Sequence, residues 1–148
     1  MEIRLLPSSM NKKHIILNNS FWNWATAAGY DERGRLLAFN LCRNMIAADE
    51  VFKENCFWID GKICCLPAAS FEFGEIMDPW KVNTAGENLN LSFLPKGQRA
   101  QKVNIIGLIQ SDFHQPFGIY KGEFKDEKGN IYPVADFFGL VEQHITRY

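Results

Sequence analysis

Apolar and polar residues alternate with a period of two along much of the chain. Leu89, Leu91 and Phe93 alternate with Asn88, Asn90 and Ser92. Tyr120, Gly122 and Phe124 alternate with Lys121, Glu123 and Lys125. Val134, Asp136, Phe138 and Leu140 alternate with Ala135, Phe137, Gly139 and Val141. Val103, Ile105, Gly107 and Ile109 alternate with Asn104, Ile106, Leu108 and Gln110, a stretch that is apolar on both faces for part of its length. Successive side chains of a strand point to opposite faces, so this period is the mark of β-structure. Turn signals separate the runs at Asp31-Glu32-Arg33-Gly34-Arg35, Asp60-Gly61, Thr84-Ala85-Gly86-Glu87, Pro95-Lys96-Gly97 and Asp126-Glu127-Lys128-Gly129-Asn130. Asp60-Gly61 is the strongest, because Gly accepts the positive φ of a primed hairpin turn.

These boundaries predict about eight strands, near 20–29, 35–42, 51–60, 62–73, 87–94, 102–112, 117–126 and 130–145. The fold class expected is all-β: an antiparallel barrel or a strongly curved sheet, formed by residues 20–148 as one domain after a poorly specified lead-in, 1–19. The segment 36–50 is ambiguous. Leu37, Leu41, Met45 and Ala48 are also spaced like one face of a short helix. No internal repeat interrupts the pattern.

Composition narrows the partners. Sixteen Lys+Arg against 17 Asp+Glu give net −1 over 148 residues, so no global field recruits nucleic acid or an anionic membrane. Cys42, Cys56, Cys64 and Cys65 form no Cys-x-x-Cys pair, and His14, His114 and His144 are scattered. The cysteines therefore read as reduced, small hydrophobes, and neither a metal nor a cofactor is expected. The start of the chain lacks a basic region followed by an apolar stretch. The longest charge-free run, 14–30, is broken by Asn18, Asn19, Ser20 and Asn23 and is not a membrane span. A cytoplasmic location is the default expectation. Aromatic residues make up 14% of the chain, which suits either a strand-rich core or a cavity lined with rings.

No phosphate loop, Gly-x-Ser-x-Gly, His-Glu-x-x-His or calcium loop is present. The candidate chemistry lies in polar residues within aromatic runs. In 21–26, Trp22 and Trp24 share one strand face and Asn23 shares the other with Phe21 and Ala25. The two indoles either line a lumen or fill a core. In 54–62, Glu54, Cys56, Trp58 and Asp60 share a face. Glu54 is either an acid raised in pKa against an indole or a solvated edge charge. Asp112 and His114 share a face two residues apart, where the carboxylate would fix the imidazole tautomer. Gln115-Pro116 is expected to end that strand. Glu142 lies on the face of Leu140 and Phe138 and is expected to point inward.

Several of these motifs occur in a fixed order: Phe-Trp-Asn-Trp-Ala at 21–25, Ala-Phe-Asn-Leu at 38–41, Glu-Asn…Ile-Asp-Gly-Lys at 54–62, Pro79-Trp80, Leu-Ser-Phe-Leu-Pro at 91–95, His-Gln-Pro-Phe-Gly at 114–118 and Gly-Leu-Val-Glu at 139–142. Together they resemble the C-terminal half of a bacterial family, domain-of-unknown-function family 2804, over about residues 20–148. That family is similar in turn to lipocalin-like proteins that include carotenoid hydratases and tocopherol cyclases, built from two barrel-like halves. The resemblance implies a lipocalin-like antiparallel barrel and an apolar ligand. It departs at 1–19, at the absent N-terminal half, and at Leu41-Cys42-Arg43, where a glycine is expected.

The first functional expectation is a binding module for a hydrophobic small molecule, with Trp22, Trp24 and Trp80 lining the site and Asn40, Gln115, Glu54, His114 and Glu142 orienting the ligand. The alternative is a hydratase- or cyclase-type enzyme that protonates an alkene, with Glu54, Asp112, His114 and Glu142 as acid candidates. A third reading is a half-domain that completes a larger protein. With half of a two-part protein missing, the exposed apolar face is expected to pair two copies into a homodimer burying more than about 1,000 Å².

Overall fold

The computed structural model describes residues 19–44 and 54–148. These form nine strands: β1 (Asn19–Tyr30), β2 (Leu36–Asn44), β3 (Cys56–Ile59), β4 (Lys62–Cys65), β5 (Ala69–Glu72), β6 (Trp80–Thr84), β7 (Leu89–Ile105), β8 (Ile109–Lys125) and β9 (Ile131–Arg147). They make one antiparallel sheet in the order β4-β3-β2-β1-β9-β8-β7-β6-β5. The two ends of the order are not paired to each other, so the sheet is open, and it curls until β2 touches β5. Of the two forms expected, the chain adopts the strongly curved sheet.

The curl is driven by one face. Leu37, Phe39 and Leu41 of β2, Phe57 of β3, Trp80 and Val82 of β6, Leu89, Leu91 and Phe93 of β7, and Tyr120 and Phe124 of β8 are all buried in a single cluster. Phe57 stacks on Phe124 with centroids 4.3 Å apart, although β3 and β8 lie far apart in the sheet order. Phe39 and Phe93 both pack on Tyr120, at 4.9 and 4.6 Å. Trp80 is wholly buried, stacks on Phe73 at 3.6 Å and donates its indole N–H to the carbonyl of Ile76. The inward face is thus a filled core, and Trp80 is part of it.

Asp60-Gly61 forms the expected two-residue turn between Ile59 and Lys62, with φ of 48° and 81°. Asp60 Oδ1 also accepts the N–H of Leu36, which ties this turn to the start of β2. The expected strand 62–73 is two strands, because Pro67 cannot donate to a ladder and the chain turns there. Buried Asn55 staples that corner. Its Oδ1 accepts the N–H of Cys42, and its Nδ2 donates to the carbonyl of Pro67.

Four other expectations need correction. Pro95-Lys96-Gly97 is not a turn but a bulge inside β7, where the register with β8 shifts. Gln115-Pro116 does not end β8. Pro116 pairs with Gln98, and the β8–β9 ladder skips from His114–Gln143 to Phe117–Leu140, so no N–H is needed at the proline. The expected strand 102–112 contains the β7–β8 turn, at Ile106 and Gly107. Residues 80–84, not expected to be a strand, form β6. Within 36–50, residues 36–44 are strand rather than helix, and the rest lies outside the described residues. A spacing of four satisfies both periods, which is why Leu37 and Leu41 left the segment ambiguous, and the strand expected at 35–42 is the form adopted. Cys64 and Cys65 do face opposite sides of β4, with Cys64 against the core and Cys65 exposed.

Two outcomes follow for the core. Trp80→Ala should cost about 3–5 kcal/mol, because it removes a stacked, fully buried ring and leaves a cavity; the shift of the urea midpoint at constant m-value measures it. Burial pushes the Tyr120 phenol well above its ordinary pKa of 10.0. Above about pH 10 the unfolded chain releases this proton while the folded chain keeps it, so stability falls as pH rises through that range. Tyr120→Phe should flatten the alkaline decline in stability, measured by denaturant titrations across that window.

Candidate functional site

The outward face of the sheet carries the sequence candidates that come together. Register fixes the face: Trp22 pairs with His144, Trp24 with Glu142 and Thr26 with Asn40, while Phe113 pairs with His144 from the other side. All of these side chains oppose the buried set, because Asn23, Ala25 and Ala27 of the same β1 face the core. Glu142 therefore shares a face with Leu140 and Phe138 as expected, but that face is outward, and Phe138 is 61% exposed.

Glu142 is the centre of a small network. Trp22 Nε1 donates to Oε1 at 2.8 Å, and Gln115 Nε2 donates to Oε2 at 3.1 Å. Both carboxylate oxygens are thus held, one by the indole and one by the amide. Beside it, Trp24 Nε1 donates to Asn40 Oδ1 at 2.7 Å, and Asn40 Nδ2 donates to the carbonyl of Glu54 at 3.1 Å. His144 packs edge-on against Trp22 at 4.2 Å and against Phe113 at 5.4 Å, and its Nε2 lies 2.8 Å from Ser111 Oγ. Apart from exposed Glu54, every residue in the network is half-buried rather than sealed.

Two shallow apolar grooves flank this polar string. One, of about 620 Å³, is lined by Ser20, Trp22, Cys42, Glu54, Ile109 and Tyr148, among others. The other, of about 470 Å³, runs over Thr26, Ala38, Asn40, Trp58, Phe138 and Leu140. A third cleft of about 640 Å³ lies between β4 and the β8–β9 turn. Of its two carboxylate residues, Asp126 and Glu127, Asp126 is taken up by the turn itself. The Asn130 side chain and the N–H groups of Lys128 and Asn130 hold it below the ordinary carboxylate range against a smaller opposing effect of burial.

The remaining candidates lie apart from the network. Asp112 and His114 sit on the opposite face of β8, with Asp112 Oδ1 3.1 Å from His114 Nε2 and Asp112 Oδ2 3.3 Å from Lys102 Nζ. Gln98 Oε1 is 3.1 Å from His114 Nδ1, so both ring nitrogens are engaged. Glu54 is exposed and meets the network through its backbone carbonyl. Trp80 is in the core. Sequence reasoning did not single out His144 and Ser111 as site residues. The signal was the spacing of two from Glu142 to His144 to Thr146 on one face of β9. Among the described residues no cluster of three His, Cys, Asp or Glu side chains is placed to hold a metal ion, and no helix is long and apolar enough to cross a membrane.

Residues 15–148 match the model of a protein family described as Domain of unknown function (DUF2804). The chain belongs to this family. No curated protein and no solved structure matches it. The match runs through every strand of the sheet, so the Glu142 network and both flanking grooves of this DUF2804 chain lie inside the family region.

The network makes a measurable claim of its own. A double-mutant cycle of Trp22→Phe and Glu142→Gln should give a coupling of about 0.5–2 kcal/mol, because the two groups share a charge-assisted hydrogen bond in a half-buried setting. Denaturant unfolding of the four proteins checks it, and additive effects would count against a shared bond.

Proposed function

We propose that this DUF2804 chain binds an apolar small molecule, of lipid or isoprenoid type, on the outward face of its sheet beside Trp22. The observation that carries this reading is the placement of empty space. The inward face carries the buried rings of Trp80, Phe39, Phe57, Phe93 and Tyr120, whereas the outward face offers a groove of about 620 Å³ where Trp22, Ile109 and Tyr148 lie among polar side chains such as Ser20 and Ser111. Polar side chains in its lining, Glu54, Gln110 and Ser111, suit orientation of one polar end of such a ligand, and Glu142 fixes the Trp22 indole beside them. The hydratase- or cyclase-type alternative needs an acidic proton facing the ligand. Both Glu142 oxygens already receive N–H donors, which favours an acceptor role instead.

A second reading is favoured by the same filled core: the chain is one half of a two-part assembly, and the outward aromatic strip seats the other half or a second copy. The two readings separate in one set of measurements. Energy transfer from tryptophan to added cis-parinaric acid should report saturable binding, and Trp22→Ala should weaken it about tenfold, or ~1.4 kcal/mol. Absence of saturable transfer would sink the ligand reading. A homodimer in sedimentation equilibrium that Phe138→Asp dissociates, with no parinaric acid bound, would establish the second reading in its place.

A further inference from the structure

The β7–β8 hairpin ends in Ile105, Ile106, Gly107, Leu108 and Ile109. All four large side chains are exposed, Ile106 at 90%. β9 pairs no further along β8 than Arg147 with Gln110, so this tip stands beyond the last rung of its neighbour. Single exposed apolar residues are ordinary, but four in five consecutive positions form a patch that calls for a partner.

The backbone points the same way. Ile106 and Gly107 have φ of 51° and 71°, and the N–H of Leu108 donates to the carbonyl of Ile105 at 2.9 Å. This three-residue loop, Ile106–Leu108, opens with a positive φ that suits Asn, Asp or Gly, and a β-branched side chain is disfavoured there. The chain therefore carries an isoleucine where its backbone conformation is least suitable, and folding hides almost none of it. The stability of the fold does not account for that choice, whereas contact with something outside the chain does.

The shape and surroundings select the partner. A convex tip has no walls to grip a peptide or a small ligand, but it can enter a soft apolar phase. Its collar is mainly polar, with Val103, Ile145 and Tyr148 among the side chains nearby. Gln101, Asn104 and Gln110 surround it, with exposed Lys102 and Arg147 as the cations and Asp112, paired with Lys102, as the carboxylate. We infer that the tip inserts into the interfacial region of a lipid bilayer, with Lys102 and Arg147 at the level of the phosphate groups. The chain's net charge of −1 supplies no long-range attraction, so the association is local and led by the four apolar side chains. Ile109 belongs both to the tip and to the groove beside Trp22, so an inserted tip places the mouth of that groove at the lipid surface. Membrane binding itself does not depend on the groove being occupied.

Co-sedimentation of the full chain with sucrose-loaded vesicles of phosphatidylcholine and a minority of phosphatidylglycerol tests this. The wild-type chain should pellet with the vesicles, and Ile106→Asp or Leu108→Asp should lower partitioning on the order of tenfold or more. Ile106→Asn is the sharper variant. It places a residue that tolerates this turn at the strained position, so it should raise the melting temperature while it lowers partitioning. No pelleting of the wild-type chain, or equal pelleting of wild type and variants, would overturn the inference. So would self-association in lipid-free solution that the tip variants abolish, which would make the tip a docking surface for a second copy.

Discussion

The sheet turns on Tyr120. Its ring is fully buried between Phe39 and Phe93, and its hydroxyl donates to the carbonyl of Leu140, which belongs to the neighbouring strand. The strands close on it because the residues around it are small. A side chain at Gly139 would meet the carbonyl of Thr26, the Cβ of Ala27 and the Tyr120 ring, and one at Gly118 would meet the carbonyl of Leu94. Immediately beyond Tyr120 the β8–β9 register shifts, with Asp136 at a φ of 57°. That bulge brings Val134 and Phe137, which the simple alternation puts on opposite faces, onto the same buried side. It also sets the phase of everything after it on β9. Glu142 and His144 face outward because the register is reset before them, so the core and the candidate site rest on one joint.

The two faces of the sheet then do different work. Inward, the aromatic core satisfies its own polar atoms: Trp80 through Ile76, Tyr120 through Leu140 and Thr84 through Leu89. Among the described residues no buried side-chain nitrogen or oxygen lacks a partner. An unpaired polar group in such a core costs about 1–3 kcal/mol, so recognition chemistry has little place there. Outward, the groups stay half in water, where hydrogen bonds can be exchanged for those of a ligand at small cost.

Much of this was legible, and the failures have physical causes. Asp60-Gly61 announced its turn because glycine and aspartate are the residues that accept positive φ. The shared face of Trp22 and Trp24 followed from the period of two alone. The β7–β8 turn was hidden because isoleucine and leucine occupy it, and only Gly107 hinted at it. Pro95 and Pro116 read as stops, yet each sits where a bulge or a skipped rung removes the need for an N–H. The direction of each face was not legible at all. Periodicity says that Glu142 and Phe138 share a side and that Trp22 and Trp24 do, but it does not say which side is filled. Here aromatic residues lie on both, and Asn23 and Thr84 are buried while Phe138 is exposed.

The outward face is itself of two kinds, and the contrast bears on its use. Across β5, β6 and the adjoining stretches of β7 and β8 it presents Glu72, Lys81, Ser92, Asn90, Lys121 and Glu123, all exposed, as a sheet does when it meets only water. Across β1, β2, β3 and β9 the same face presents Trp22, Trp24, Trp58, Leu140 and His144, all half-buried. One sheet with one solvent has no reason to change its surface chemistry half-way along. Folding does not supply the reason, because the core is complete without these rings. The indoles are also pinned by Glu142 and Asn40 in fixed orientations, at a cost in side-chain freedom that a solvated surface has no cause to bear. Fixed aromatic planes next to shallow apolar grooves reduce the ordering needed when a second surface or a ligand arrives. The outward face thus changes character along the sheet, from charged and polar positions near β5 and β6 to pinned indoles on β1 and the half-buried rings beside them.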